Sequence, residues 1–276
     1  MEEERPAPQP RRMTRAERAR APQFSVGGVL GKGFSIWARS LVTLAILMVI
    51  IYSPLIVYQG VRIAGGTVPE VVRGFGFLEP RYWIERLLNV LATAAVIYTV
   101  FQRLRGERAT IADSLRHCMS RLLPVLGTVL LYIVATTGPM VPFVLVFEAN
   151  PPAGIALALL GLAAAIYLSL MLWVSVPPVV VENRGPIGAL KRSVALTHGK
   201  KGQIFAINLV VGAVAAVPIV TIMFLPRGNA EALAFAQLPF TLLVGALGAT
   251  MAAVGYHDLR HAKEGVGVDE LLKVFD

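Results

Sequence analysis

Six apolar stretches, each close to the length that crosses a bilayer, leave this chain few folds to choose from. They run Ser40–Gln59, Arg86–Gln102, Leu122–Phe147, Gly154–Val181, Ile204–Leu225 and Pro239–Tyr256, against the ~20 residues that traverse ~30 Å of hydrocarbon. None carries Asp, Glu, Lys or Arg in its interior. Lipid offers the backbone no hydrogen-bond partner, so such runs become helices or closed barrels, and continuous apolarity excludes the alternation of a barrel strand. The expected fold class is therefore all-α: a polytopic membrane protein with six transmembrane helices.

Charge then orients the helices. Of the 26 Lys and Arg residues, eight precede the first stretch, five lie in Arg103–Arg121, five in Arg184–Lys201 and three in the C-terminal tail. The alternate gaps hold four, none and one. Short loops rich in Lys and Arg stay on the cytoplasmic side, which places both termini in the cytoplasm. The same bias accounts for the net charge of +9, and nucleic acid is not an expected partner. Arg outnumbers Lys twenty to six and Ala is abundant, a composition that suggests a high-GC genome and a bacterial inner membrane. Residues 1–22 are rich in Pro and Arg without apolar periodicity and read as a disordered basic tail, ahead of a membrane domain over residues 23–276. Its Arg11-Arg12 pair meets no apolar segment before Phe24, so an export signal is not expected.

Proline and cap positions reveal an internal order. Ser25 precedes Pro54, and Thr110 precedes Pro139, by the same 29 residues; Pro186 precedes Pro218 by 32. Each unit reads as a short amphipathic segment, a long apolar helix, an outer loop and a returning helix, so we expect three pseudo-repeated hairpins with cytoplasmic amphipathic segments. Those segments are FSVGGVLGKGFSIWARS, ATIADSLRHCMSRLL and GPIGALKRSVALTHGKK. In the second, Ile111, Leu115, Cys118 and Leu122 form a helical stripe behind a Thr110–Asp113 capping signal. Such helices are expected to lie along the inner membrane surface, with VGVDELLKVFD at the C-terminus as a fourth. The returning helices end in RLRGE, VENRGP and HAKEGV, a charged stop followed by Gly.

Small residues at four-residue spacing, Gly245, Ala249 and Ala253 with Gly248 and Ala252 beside them, and Gly161 with Ala165, are expected to let helices approach closely. Tyr58, Tyr82, Trp83 and Trp37 fit aromatic belts. Pro54, Pro139, Pro142 and Pro218 are read as kinks.

Chemistry is sparse. No ionisable residue lies at depth, which disfavours proton-coupled transport. Asn89 and Asn208 are the polar candidates there, with helix-to-helix hydrogen bonding as their simplest role. His257 and His261 stand four apart with Asp258 alongside, but no third ligand is evident and no metal is expected. The Thr197–Gly202 run lacks the spacing of a phosphate loop. Neither an HExxH pair nor a GxSxG elbow occurs, so no catalytic residue, enzyme activity or cofactor is expected. Cys118 is the sole cysteine and receives no chemistry.

Three passages, FSVGGVLGKGFSIWARSLVTLAIL, VPPVVVENRGPIGALKRSVALTHG and VGYHDLRHAKEGVGVDELLKVFD, resemble the membrane domain found with bacterial glycerophosphoryl diester phosphodiesterases. The resemblance spans about Phe24 to Asp276 and implies the six-helix fold. It does not imply hydrolysis, since a phosphodiesterase barrel needs at least ~200 residues and 18 follow Asp258.

The expected function is a non-enzymatic scaffold or accessory domain that engages anionic lipid headgroups or a soluble protein partner at its cytoplasmic face. Glu182, Arg184, Lys191, Arg192, Asp258 and Arg260 are the candidate surface. The alternative is a transporter or lipid-handling protein with a cavity between hairpins, marked by a polar pocket near Asn89 or Asn208.

Overall fold

The computed structural model describes residues 24–64, 80–107, 110–224 and 230–264. The basic tail, the C-terminal amphipathic segment, and the side chains of Tyr82, Trp83 and Pro218 lie outside what is described. Among the described residues every regular element is helical. Five helices are long and apolar enough to cross a membrane, and a sixth span is reached if one bent helix pair is counted.

In chain order the first helices are α1 (Val26–Arg39), α2 (Leu41–Ala64) and α3 (Pro80–Leu104). Ser25 caps α1 by accepting from the Gly28 amide at 3.1 Å, and Pro54 sits inside an unbroken α2. There follow α4 (Ile111–Ser120), α5 (Leu122–Thr137), a 3₁₀ turn at Gly138–Met140, α6 (Val141–Phe147) and α7 (Pro151–Met171). Thr110 caps α4 by accepting from the Asp113 amide at 3.1 Å, as the capping signal predicts. Pro139 lies in the 3₁₀ turn, where its missing N–H costs no α-helical bond. The remaining helices are α8 (Pro177–Val181), α9 (Pro186–Thr197), α10 (Lys201–Phe224) and α11 (Ala230–Glu264).

The fourth apolar stretch is not one helix to Val181. Its helix ends at Met171, and α8, entirely buried, follows a turn. Pro177 and Pro178 occupy the first two positions of α8, where a missing N–H costs no helical bond. The axes of α9 and α10 are bent by 104° at Gly199, whose φ of +80° is the left-handed closure that glycine permits. Gly106 closes α3 in the same conformation, whereas after α8 the positive φ falls on Asn183 rather than Gly185.

The amphipathic helices pack much of their apolar faces against protein. Helix α1 runs antiparallel along α11: Lys32 meets Asp258, Gly33 abuts Met251, and Trp37 Nε1 donates to the Leu243 carbonyl at 3.1 Å. Trp37 is thus a helix–helix contact. Helix α4 runs antiparallel along α3, with Ser114 bonded to Thr99 and Cys118 Sγ to the Leu91 carbonyl, each at 3.1 Å. Helix α9 meets the end of α7, where Ser193 and Thr197 hydroxyls donate to the Met171 carbonyl at 2.9 and 3.0 Å. A buried partner helix removes the stripe from water without the headgroup contact a surface helix would need.

Helix α11 is central: 67% of its apolar window is buried, against none of the α5–α6 window. Close approach uses Gly161, which the spacing picks out, and Gly154 and Gly255, which it does not. A Cβ on Gly161 would lie 2.5 Å from the Pro139 carbonyl oxygen, one on Gly154 2.7 Å from the Phe147 Cα, and one on Gly255 2.4 Å from the Trp173 ring. Gly245 and Gly248 have nothing within 4 Å of that position; their helix packs instead through Ala246, Ala249 and Ala253, all buried.

Candidate functional site

Two places gather polar or accessible chemistry: a network at the basic end of the bundle, and a cavity on its flank.

The network centres on Glu182, which follows α8. Its carboxylate takes the Arg184 Nε at 2.6 Å, the Arg192 Nη2 of α9 at 3.0 Å and the Arg260 Nη1 of α11 at 3.3 Å. The Tyr256 hydroxyl donates to the same oxygen that faces Arg192. Glu264, at the end of α11, takes both terminal nitrogens of Arg192, Nη2 at 2.7 Å, and lies 3.4 Å from the Arg260 Nε. Burial alone would raise the Glu182 carboxyl; the Tyr256 hydroxyl, Arg192, Arg184 and Arg260 outweigh it and hold the group below its ordinary range.

Of the six residues proposed from sequence, Glu182, Arg184, Arg192 and Arg260 meet in this network. Asp258 belongs to a neighbouring cluster, with Lys32 Nζ at 3.0 Å and His257 Nδ1 at 3.1 Å. Lys191 joins neither; it is exposed on α9 and pairs with no described residue. The members that sequence reasoning missed are Tyr256, Glu264, Lys32 and Lys263. Tyr256, Arg260 and Glu264 form an i, i+4, i+8 stripe on α11 that helical periodicity could have found. Lys263 donates to the Ala195 and His198 carbonyls at 2.6 and 2.9 Å, closing the C-terminus of α9 as a cation suits a helix end.

The network is largely self-neutralising, with two carboxylates facing three guanidinium groups. Its chemistry is that of a clasp joining α8, α9 and α11. His257 and His261 face each other with Nε2 atoms 3.1 Å apart, and among the described residues no group of three His, Cys, Asp or Glu side chains has the geometry to hold a metal.

The cavity, of about 370 Å³, opens between α5, α7 and α10. Tyr132, Ser169, Trp173, Phe205, Asn208 and Gly212 are among its lining residues. Asn208 donates its amide to the Ile204 carbonyl of its own helix at 3.1 Å, and Ser169 donates to Ile166 at 2.7 Å, so the polar groups of the lining are partly spent within their helices. Asn89 lies elsewhere, donating to the Tyr52 hydroxyl at 3.4 Å and linking α3 to α2.

An all-helical bundle with five or six helices of spanning length, clasped at its basic end, has the form of a multi-pass membrane protein. The chain belongs to a family of unknown function, DUF6159, whose signature matches residues 72–252. That match carries no link to the glycerophosphoryl diester phosphodiesterase membrane domain. No curated protein and no solved structure matches the chain.

Proposed function

We propose that this is a non-enzymatic, six-span protein of a bacterial inner membrane, with both termini cytoplasmic, that binds membrane lipid in the cavity between its second and third hairpins. The observation that supports this reading is the cavity itself. It is apolar over most of its lining, contains Asn208, and is flanked by exposed Phe205, Leu209 and Ile166, so a chain could enter from the bilayer. Sites for small amphiphiles combine such a lining with few polar groups. Three hairpins in a ring fit the same picture: α1, α4 and α9 each touch the returning helix of the preceding hairpin, α11, α3 and α7 respectively. The likeness to the membrane domain of glycerophosphodiesterases is retained only as a fold-level proposal.

The scaffold reading takes second place, because Glu182, Arg184, Arg192 and Arg260 are turned on one another rather than on a partner. What favours it is the outer face of α9, where Ile187 is 63% exposed one turn before Lys191. Purification from the native membrane in mild detergent, followed by mass spectrometry of what stays bound, tests the two. A retained lipid in stoichiometric amount supports the lipid-binding reading; a stoichiometric protein with no lipid overturns it in favour of the scaffold.

A further inference from the structure

The cavity has a direction. On α10, Phe205, Asn208 and Gly212 of the cavity wall share one helix face with Lys201, at i+4, i+7 and i+11 from it, so Lys201 stands one turn beyond the cavity at the basic end. Facing it, Ile166, Ser169 and Leu170 of α7 and Trp173 in the turn after it form the opposite wall. From Lys201 to Ala213 the helix rises roughly 18 Å, against roughly 15 Å for one leaflet of hydrocarbon. The cavity and the turn that carries Lys201 together span the length of a single leaflet, with the cation where the headgroups lie.

The space is made by small residues at the deep end. Gly212 and Ala213 leave it open, and a Cβ placed on Gly212 would meet nothing within 4 Å. At the mouth, the Lys201 ammonium sits 3.7 Å from the centre of the Tyr167 ring and donates to that residue's hydroxyl. Two of its three N–H donors are then free of that bond. Neither Lys200 nor Lys201 pairs with a carboxylate among the described residues, while Glu264, the nearest acid at that end of α11, is held by Arg192 and Arg260. The mouth is thus a net positive site above an apolar slot.

We infer that the groove binds an anionic phospholipid of the leaflet on the basic side, with one acyl chain between α7 and α10 and the phosphate on Lys201, assisted by Lys200. This deepens the lipid-binding reading and rests on it. The charge complementarity of an uncompensated lysine pair with a phosphate, set one leaflet's depth above the glycine, selects a lipid rather than a helix of another protein.

The test uses the full chain in nanodiscs of equal phosphatidylglycerol and phosphatidylcholine, extracted in mild detergent and weighed by native mass spectrometry. The wild type is expected to retain one phospholipid, enriched in phosphatidylglycerol. Lys201→Gln is expected to lower that enrichment by roughly fivefold, the usual weight of one basic side chain at an anionic surface. Gly212→Leu, which fills open space without a clash, is expected to abolish retention of either lipid. Lys191→Gln, away from the groove, is expected to behave as wild type. Unchanged elution and unchanged burial of Cys118 verify folding in each variant. Retention with the same headgroup ratio in Lys201→Gln overturns the headgroup assignment and leaves the lipid-binding reading standing. Full retention in Gly212→Leu removes the groove as the site, and a wild type that holds no lipid at all removes both.

Discussion

The guanidinium of Arg192, on α9, is gripped by the carboxylate of Glu264, 72 residues further along the chain at the end of α11. Glu182 takes the same guanidinium from the other side. Such a fork is a planar match of five donors to carboxylate oxygens that lysine cannot reproduce. Arg192→Lys is therefore expected to destabilise the protein, and Arg192→Met to cost about 3 kcal/mol, because Glu182 and Glu264 each lose one of the cations that hold them. The double variant Arg192→Met/Glu264→Met is expected to recover part of that loss, which thermal unfolding of the four forms in micelles measures. Strict additivity would contradict the clasp.

Glu182 also gives the clasp a pH dependence. Its carboxyl is held below the ordinary range when folded, so its stabilising contribution is complete above the unfolded value of about 4.3 and is lost as pH falls through the lower folded value. Unfolding temperatures recorded from pH 7 down to pH 3 are expected to fall more steeply for the wild type than for Glu182→Gln. The Gln variant starts lower at pH 7 and converges at the acid end.

Packing at the glycines is graded by what the added methyl would strike. Gly161→Ala is expected to be the most disruptive, since its Cβ would lie 2.5 Å from a backbone oxygen that cannot swing away, at a cost of about 1–3 kcal/mol. Gly33→Ala meets the Met251 sulfur at 2.4 Å, a flexible end that can move, and is expected to cost less. Gly245→Ala and Gly248→Ala, with open space around them, are expected to be neutral or mildly stabilising through helix propensity. Melting temperatures of the four variants establish or refute that order.

Cys118 is 2% exposed, and burial pushes its thiol up to about 11. Since the thiolate is the reactive species, the native protein is expected to resist maleimide at pH 7.5 and to label fully after denaturation. Rapid labelling of the folded protein would show that α4 is not seated on α3.

The topology is open to the same chemistry. With Cys118 protected, a cysteine at Lys191 is expected to react with an impermeant reagent only after the cytoplasmic side is exposed. One at Glu148, in the turn before α7, is expected to react from outside. Reversed accessibilities would overturn the proposed orientation.

What the sequence determined by itself was everything that depends on local period and composition. Long uncharged runs become helices because the backbone has no other way to satisfy itself in lipid. Ser25 and Thr110 cap α1 and α4 because a hydroxyl at that position reaches the free amides of the first turn. The glycine after Leu104 closes its helix for equally local reasons. The placement of the amphipathic helices was decided otherwise. A stripe such as Ile111, Leu115 and Cys118 specifies an apolar partner without saying whether that partner is lipid or protein, and only the fold brings α3 to it. The same holds for the clasp. Glu182, Arg192 and Arg260 could be read as charged residues near helix ends, but their mutual neutralisation depends on the 104° bend between α9 and α10 and on where α11 ends. The cavity is the plainest case. It consists of what Gly212, Ala213 and their neighbours on α5 and α7 leave unfilled, and a space between helices has no residue of its own in the sequence.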